Sequence, residues 1–404
     1  MTLTTTAKAK DIATLYTTHY SGTVSTLTLS QDSLDSFSLD LTSTKQTCGS
    51  MPSWLTFDPS TRTLYCSDEA GGLDGKGSLT ALSVDLDYGL TEDAKTSTPG
   101  GGVSSVIYEG GDGMRYIAIA HYSGAAVSTY PLPLEPNTPA TQIINYNRSD
   151  HGPRSQQDTP HPHEVVLDPT GSFILVCDLG SDVVRVYAID AESGKLNTCP
   201  SIERPAGNGP RHGVFWTPIS ALGGNAMRRS QRTTRDMNPI ETMFYMDSEL
   251  GGTVTAFTVS YPPPSTGGCP FFEEVQEMVP YPEGNMPDDG TPAEIRLRGD
   301  SLYVSIRSDQ GFAPDDSIAT LARSEDGMVA LDRLTSAYGK VPRTMVINRV
   351  GDLVAIGDQS SSNVAIVRRD PQTGELGEEL ADLKVGQPGK VGASEGLSSV
   401  IWAE

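Results

Sequence analysis

Hydrophobic and polar positions alternate along the chain in short runs separated by polar bends, and this period of two predicts β-strands. The clearest alternation lies at residues 183–187 and 253–257. Around the first run, residues 163–187 contain an apolar strand, an Asp-Pro turn, a second strand, a polar bend and a third strand. Helical patterns are few, so we expect an all-β protein.

This unit recurs, with copies whose first strands begin near residues 54, 105, 165, 213, 295 and 345. Residues 12–29 supply the second and third strands of one more unit, and residues 398–402 supply its missing first strand. Radial repetition of such sheets produces a β-propeller. The sequence therefore predicts a seven-bladed β-propeller in a single domain of residues 1–404, with the first blade closed by strands from both chain ends.

The interval between the copies near residues 213 and 295 is longer than the others and indicates an insertion loop at about residues 219–241. This segment is rich in Gly, Asn and Arg and has little apolar periodicity. A solvated loop explains this composition, and so does a lid over a binding site or a loop that binds a partner. The sequence does not decide between these roles.

The overall charge is strongly acidic. The 404 residues include 29 Lys and Arg against 51 Asp and Glu, a formal net charge of −22. Phosphate backbones and anionic membrane surfaces repel such a chain, so we expect neither a nucleic acid nor a membrane as partner. No apolar run is long enough to span a membrane, and residues 1–18 lack the apolar segment of a secretory leader.

The cysteines are odd in number and without C-x-x-C spacing. This pattern favours reduced, structural thiols over a disulfide framework or a zinc site, and it predicts a cytoplasmic protein. The five residues are Cys48, Cys66, Cys177, Cys199 and Cys269.

Aligning the repeats stacks positions of different blades into two rings at the mouth of the central channel. Both rings repeat polarity but not identity, as a functional position requires, although a polar strand end taken alone is often just a solvated bend. The first ring follows the proline, or its equivalent, that opens each inner strand: Ser53, Ser104, His163, Arg211, Ala293 and Arg343. The second ring lies at the bend after the second strand: Tyr20, Glu69, Tyr122, Leu179, Glu249, Arg307 and Gln359.

Four ring members carry the candidate catalytic chemistry. His163 titrates near neutral pH and suits general acid–base catalysis. Arg211 and Arg307 suit the binding of a carboxylate, a phosphate or an oxyanion, unless they pair with acidic neighbours. Glu249, ionised among arginines, would orient His163 or move a proton itself.

Further polar residues around the rings are candidates for substrate binding. His161 is either a hydrogen-bond partner of His163 or a turn residue, the latter being favoured. His212 follows Arg211 on an extended strand, so its side chain should point the other way and be structural. The candidates are Arg343, Tyr122, Glu69, Gln359, His161 and Ser53.

Motifs for other chemistries are absent from the sequence. There is no G-x-S-x-G, H-E-x-x-H, P-loop or G-x-G-x-x-G after a strand. The Asp-rich bends at residues 178–182 and 315–316 are not an EF-hand series. We therefore expect no metal and no cofactor.

Several motifs together resemble the seven-bladed lactonase family, which includes propeller-type 6-phosphogluconolactonases and fungal carboxy-cis,cis-muconate cyclases. The motifs lie at residues 160–173 (PHPHEVVLDPTGSF), 178–182, 209–212 (GPRH), 248–250 (SEL), 293–295, 305–307 and 342–343. Carried over from the fungal cyclase, the proposed catalytic set falls on His163, Arg211, Glu249 and Arg307. The chain departs from the family pattern at Ser248 and Ile306, where Asn is usual, and by one additional residue after Arg211, all of which bear on the substrate.

The resemblance implies a metal-independent enzyme that opens or forms the lactone ring of a small anionic lactone or dicarboxylate. The alternative is a non-catalytic propeller that binds a protein or small-molecule partner. The direction of reaction and the physiological substrate are left open, and a homo-oligomer is compatible with the sequence.

Overall fold

The computed structural model describes residues 10–33, 36–73, 75–111, 113–147, 149, 152–218, 242–263 and 267–404. Within these residues the chain forms 29 β-strands and one short 3-10 helix, Pro282–Gly284. The all-β prediction is confirmed. The insertion expected at about residues 219–241, with its open role, lies outside the described residues.

The strands form seven antiparallel sheets, numbered here as blades 1–7. Blade 1 contains β1 (Lys10–His19), β2 (Thr23–Ser33) and β3 (Ser36–Gln46). Blade 2 contains β4 (Pro52–Asp58), β5 (Thr63–Asp68), β6 (Lys76–Val84) and β7 (Leu90–Pro99). Blade 3 contains β8 (Gly102–Glu109), β9 (Arg115–His121), β10 (Ala126–Leu132) and β11 (Gln142–Asn145). Blade 4 contains β12 (Pro162–Leu167), β13 (Phe173–Asp178), β14 (Val183–Ile189), β15 (Leu196–Thr198) and β16 (Ile202–Glu203). Blade 5 contains β17 (Pro210–Trp216), β18 (Thr242–Ser248), β19 (Thr253–Ser260) and β20 (Phe271–Met278). Blade 6 contains β21 (Thr291–Arg298), β22 (Ser301–Arg307), β23 (Ser317–Arg323) and β24 (Val329–Ser336). Blade 7 contains β25 (Pro342–Ile347), β26 (Leu353–Asp358), β27 (Asn363–Arg369) and β28 (Leu376–Lys384).

The final strand, β29 (Leu397–Trp402), returns to blade 1 and closes the ring. It pairs antiparallel with β1, in a register that sets Leu15 opposite Trp402 and Thr17 opposite Val400. The predicted closure of the first blade by both chain ends is confirmed.

Each blade packs against a neighbour on both of its faces, so its middle strands are apolar on both faces. In β13 every position is buried. Ile174 and Val176 belong to the apolar cluster shared with blade 3, whereas Phe173, Leu175 and Cys177 belong to the cluster shared with blade 5. Seven such clusters, one between each pair of adjacent blades, account for the described core and complete the circle.

The inner strands carry a β-bulge just after their first residue, and this bulge turns a side chain towards the channel mouth. The residues left out of the ladder are Ser53, Val103, His163, Arg343 and Ser398, with the pairs Arg211–His212 and Ala293–Glu294 in the equivalent gaps. The sequence-based first ring is therefore wrong in blade 3. Ser104 pairs with Ala120, and Val103 holds the ring position, because this strand opens with Gly102 instead of a proline.

The prediction of reduced cysteines is wrong for four of the five. Disulfides join Cys48 to Cys66 and Cys199 to Cys269, with Cα–Cα distances of 5.8 and 5.6 Å. Cys177 is free and buried. The partners come from different strands and loops, 18 and 70 residues apart, so the search for close sequence spacing could not reveal them. Because four cysteines form disulfides, reduced thiols no longer support a cytoplasmic location, which stays a prediction.

Among the described residues, no helix has the length and apolar character needed to cross a membrane.

Candidate active site

The bends after the second strands are tied to the starts of the inner strands, and this brings both rings to one mouth of the channel. Backbone N–H groups of the second ring donate to carbonyls that precede the inner strands. Glu249 N–H donates to the Gly209 carbonyl at 2.9 Å, and Tyr122 N–H donates to the Gly101 carbonyl at 2.7 Å. The same bond recurs at Tyr20, Glu69, Leu179 and Gln359.

Glu249 bridges two arginines from neighbouring blades. Arg211 Nε donates to Glu249 Oε2 at 2.8 Å, and Arg307 NH2 lies 2.7 Å from Glu249 Oε1. Arg211 is only 1 % exposed and also donates to the Ala293 carbonyl. The bridge therefore holds both guanidinium groups at the mouth in fixed orientations.

The bridge also keeps Glu249 ionised. Burial disfavours the anion, but Arg307 and Arg211 outweigh it and lower the pKa of Glu249 to about 2. A carboxylate this acidic is a weak base at neutral pH. Arg307 Nε is buried and has no hydrogen-bond partner in the described part of the chain.

A second acidic–basic group lies beside the bridge. Arg343 NH2 is 3.6 Å from Glu69 Oε2, which accepts a hydrogen bond from the Tyr20 hydroxyl at 2.5 Å. The Arg343 guanidinium also lies over the Tyr20 ring, 5.7 Å from its centroid. The five charged residues of the two groups, three arginines and two glutamates, leave the mouth with one net positive charge.

His163 lies beside these charges in a nearly buried position, 6 % exposed. Burial, followed by the charges of Arg211 and His212, holds the pKa of His163 well below the ordinary 6.5. The ring is therefore neutral at pH 7. Its Nδ1 is hydrogen-bonded to His212 Nε2 at 3.1 Å. In the described part of the chain Nε2 has no protein partner and is the atom left for water or substrate.

Tyr122 and His161 form a stack next to His163. Their ring centroids are 4.2 Å apart and their planes are nearly parallel, while the rings of Tyr122 and His163 are nearly perpendicular, with 5.6 Å between centroids. His161 bonds to the Tyr122 carbonyl at 2.9 Å and to Asp158 at 2.8 Å. Both of its ring nitrogens are thus engaged, and neither contacts His163.

Two of the candidate substrate-binding residues are engaged with backbone carbonyls. Gln359 Nε2 donates to the Ala393 carbonyl at 2.7 Å. Ser53 is 1 % exposed and its hydroxyl donates to the Gly102 carbonyl of the next blade at 2.5 Å. Their ring positions are at the mouth, but these donors hold the scaffold together.

The expectation that His212 points away from the site is wrong. The bulge between Pro210 and Gly213 breaks the alternation of an extended strand, so that Arg211 and His212 both lie on the channel side. Glu294, which no sequence motif singled out as a site residue, lies with its Oε1 2.8 Å from His212 Nδ1. The proline that recurs at the start of the inner strands could have indicated both His212 and Glu294, because a bulge after it makes consecutive residues face the channel.

The described residues contain one group able to offer three ligands to a metal ion: Glu164, His212 and Glu294, all buried. The guanidinium of Arg296 already lies 2.9 Å from Glu294 Oε1 and 3.9 Å from Glu164 Oε1. A cation in this group would have to compete with that charge.

Known proteins are similar to this chain in architecture and, over most of its length, in sequence. A family model described as "Lactonase, 7-bladed beta-propeller" matches residues 12–393. A protein of Arthroderma benhamiae named "Probable 6-phosphogluconolactonase" is 28% identical over 349 residues, which cover 85% of this chain and 80% of that protein. The 6-phosphogluconolactonase of Bacillus subtilis is 24% identical over 327 residues, 80% of this chain and 82% of that protein.

Solved structures agree in fold. The periplasmic gluconolactonase of Pseudomonas aeruginosa superposes with a TM-score of 0.72 at 24% identity, over 96% of this chain and 98% of that one. A protein from Lactobacillus plantarum gives a TM-score of 0.74 at 22% identity, over 98% and 100% of the two chains. The family model covers residues 12–393, and its seven blades agree with the fold described above. The chain therefore belongs to the lactonase family of seven-bladed β-propellers.

Proposed function

We propose that the protein hydrolyses the lactone ring of a small anionic substrate of the 6-phosphogluconolactone class. The observation that carries the proposal is the juxtaposition of a neutral histidine, His163, with the Arg211–Glu249–Arg307 bridge at one channel mouth. The names of the Arthroderma benhamiae and Bacillus subtilis relatives support this substrate class and favour hydrolysis over lactonisation.

The first step is the attack of water on the lactone carbonyl. His163 Nε2 takes a proton from water as the oxygen bonds to the carbonyl carbon, and the carbonyl electron pair moves to its oxygen. The positive charges of Arg211 and Arg307 stabilise this oxyanion. Oriented donors at a developing oxyanion are among the largest contributions to catalysis.

The second step is the collapse of the tetrahedral intermediate. The carbonyl re-forms, the bond between the carbonyl carbon and the ring oxygen breaks, and the His163 imidazolium returns its proton to the leaving alkoxide. The product is a hydroxy acid, which releases a proton to solvent. Neutral His163 is restored for the next turnover, so the cycle needs no cofactor.

The remaining charges bind and orient. Glu249 fixes the two oxyanion-binding arginines and stays ionised throughout, so it does not transfer the proton. Arg343, 3.6 Å from a single carboxylate, is the cation best placed for the substrate phosphate. Bidentate arginine–phosphate contacts are strong and directional.

Direct assay tests the proposal. Purified protein is given 6-phosphogluconolactone generated in the cuvette, and 6-phosphogluconate is followed against the uncatalysed rate. We expect turnover well above the blank, and a loss of about 10²–10⁴-fold in H163Q if the histidine is the general base. H19Q is the matched control, since His19 lies in blade 1 and bonds to Ser21 and the Gln387 carbonyl. No turnover of this or of simple aldonolactones would favour the non-catalytic propeller.

A further inference from the structure

Three side chains from three consecutive blades form a hydrogen-bonded series that ends on the proposed base. His163 of blade 4 bonds through Nδ1 to His212 Nε2 of blade 5 at 3.1 Å. His212 bonds through Nδ1 to Glu294 Oε1 of blade 6 at 2.8 Å. His212 and Glu294 are 1 % and 0 % exposed, so bulk water does not compete for these hydrogen bonds.

Resting on the proposed function, we infer that His212 and Glu294 are positioning residues that fix His163 as its Nδ1–H tautomer. In this tautomer the lone pair of Nε2 faces water or substrate, as a general base requires. Neither positioning residue touches the substrate in this arrangement. They act through His163.

The direction of the series follows from its buried end. Glu294 is ionised, because the Arg296 guanidinium lies 2.9 Å from its Oε1. A carboxylate only accepts hydrogen bonds. The His212 Nδ1 atom must therefore carry the proton of the bond to Glu294.

The hydrogen bond between His212 Nε2 and His163 Nδ1 then has one possible direction. His212 is 1 % exposed, and the charge of Glu294 is already balanced by the Arg296 guanidinium 2.9 Å from its Oε1, so nothing compensates a second proton on the ring. The single proton of His212 is therefore the one on Nδ1. His212 Nε2 thus has a lone pair and accepts from His163 Nδ1–H. Because His163 is also neutral, its Nε2 is unprotonated.

The local fold holds the series in place. The bulge between Pro210 and Gly213 turns His212 into the channel, and His212 N–H donates to Asp247 Oδ1 at 2.7 Å. The Trp54 ring meets His212 edge-on, with 5.8 Å between centroids. The imidazole is therefore restrained by its backbone, by both ring nitrogens and by an aromatic neighbour.

A metal ion bound by Glu164, His212 and Glu294 would give the opposite result. The metal would occupy the lone pair of His212 Nδ1, so Nε2 would carry the proton and donate to His163 Nδ1. His163 would then be protonated on Nε2 and would present a donor in place of a base. The tautomer of His163 consequently separates the two interpretations.

The first experiment reads the tautomer directly. The intact protein is labelled with ¹⁵N-histidine, and the signals of its six histidines are assigned with H163Q and H212Q. At pH 7 we expect neutral His163 with a proton on Nδ1 and an unprotonated Nε2. A proton on Nε2, or stoichiometric metal in the purified protein by elemental analysis, would overturn the inference. This measurement needs no turnover, so it stands apart from the failure or success of the lactonase assay.

The second experiment tests the positioning role by kinetics. In H212Q the amide oxygen can accept from His163 while the amide nitrogen donates to Glu294; H212L can do neither. We expect H212Q to keep kcat within about tenfold, and H212L to lose up to about 10⁴-fold in kcat but no more than H163Q loses, with a smaller change in KM, as expected when a base is held in the wrong tautomer. Equal activity in the two variants contradicts the inference, and if H212L does not fold the wild-type tautomer still decides.

Discussion

Arg211 Nε donates to Glu249 Oε2 at 2.8 Å, so a strand-end carboxylate fixes the guanidinium of the inner strand beside it. The other carboxylate oxygen binds Arg307 at 2.7 Å. With Arg343 and Glu69 the mouth keeps one positive charge in a chain of net charge −22. The acidic exterior thus repels polyanions, while the mouth is suited to one small anion.

Replacing Glu249 separates positioning from proton transfer. E249Q removes the negative charge that orients two arginines, so we expect kcat/KM to fall about 100-fold, the effect of misplacing catalytic groups by about 1 Å. The acid limb of the pH–rate profile should persist and move to lower pH, because the pKa of Glu249 is about 2 and loss of its negative charge beside the arginines further disfavours protonated His163. Disappearance of the limb in E249Q would identify Glu249 as the base instead.

The repeat pattern predicted the ring of bend residues and most of the ring of bulged residues. Six of the seven bend positions proposed from the alignment directly follow the second strands, and Arg307 is the last residue of its strand. The polar bend occurs in each copy and needs no three-dimensional information. The inner-strand ring failed at Ser104, where the aligning proline is missing, and at His212, where a bulge overrides strand alternation. Glu294 was missed because its role depends on contact with a residue 82 positions away.

Arg343 is expected to give preference for a phosphorylated lactone. In R343Q the kcat/KM for 6-phosphogluconolactone should fall by about 10-fold or more, one charge-assisted interaction being worth about 1.5–3 kcal/mol. The kcat/KM for uncharged glucono-1,5-lactone should change little, because that substrate has no anion for the guanidinium to bind. Measuring both substrates on one preparation provides the control. An equal loss for both would place Arg343 in folding or in the reaction itself.

The pH dependence of catalysis follows from the lowered pKa of His163. Burial and the charges of Arg211, His212, Arg343 and Arg307 all favour its neutral form. Since the neutral form is the base, kcat/KM should already be at its plateau at pH 6.5 and fall only at lower pH. R343Q removes one positive charge, raises the pKa of His163 and should move this limb to higher pH. A wild-type limb centred above 6.5 would contradict the assignment.

The two disulfides should contribute unequally to stability. Loss of the Cys199–Cys269 bond, which closes a longer loop between blades 4 and 5, should cost about 4 kcal/mol, against about 3 kcal/mol for Cys48–Cys66. Denaturant unfolding of C199S/C269S and C48S/C66S gives the comparison. Intact mass before and after reduction should differ by four hydrogens. Alkylation of all five cysteines without reductant would show that the bonds are absent and would restore the basis for a cytoplasmic location.

Acid sensitivity of the fold should depend on His121, a fully buried residue of blade 3 whose Nε2 bonds to Ser128 at 2.7 Å. Burial lowers the pKa of His121 from 6.5 to about 3. Below pH 6.5 the unfolded chain therefore binds a proton that the folded chain excludes, and stability falls with falling pH. Integrated from pH 7 to pH 5, this loss is about 2 kcal/mol.

Unfolding H121Q at both pH values isolates that contribution. Asp247 acts in the opposite direction, because burial raises its pKa to about 8 and its folded form takes up a proton first as the pH falls. The variant must therefore be compared with the wild type. We expect the change in unfolding free energy between pH 7 and pH 5 to become about 2 kcal/mol more favourable to the folded state in H121Q. S128A, which keeps the titrating ring, should retain the wild-type loss; identical pH dependence in H121Q and the wild type would mean that His121 is protonated in the native state.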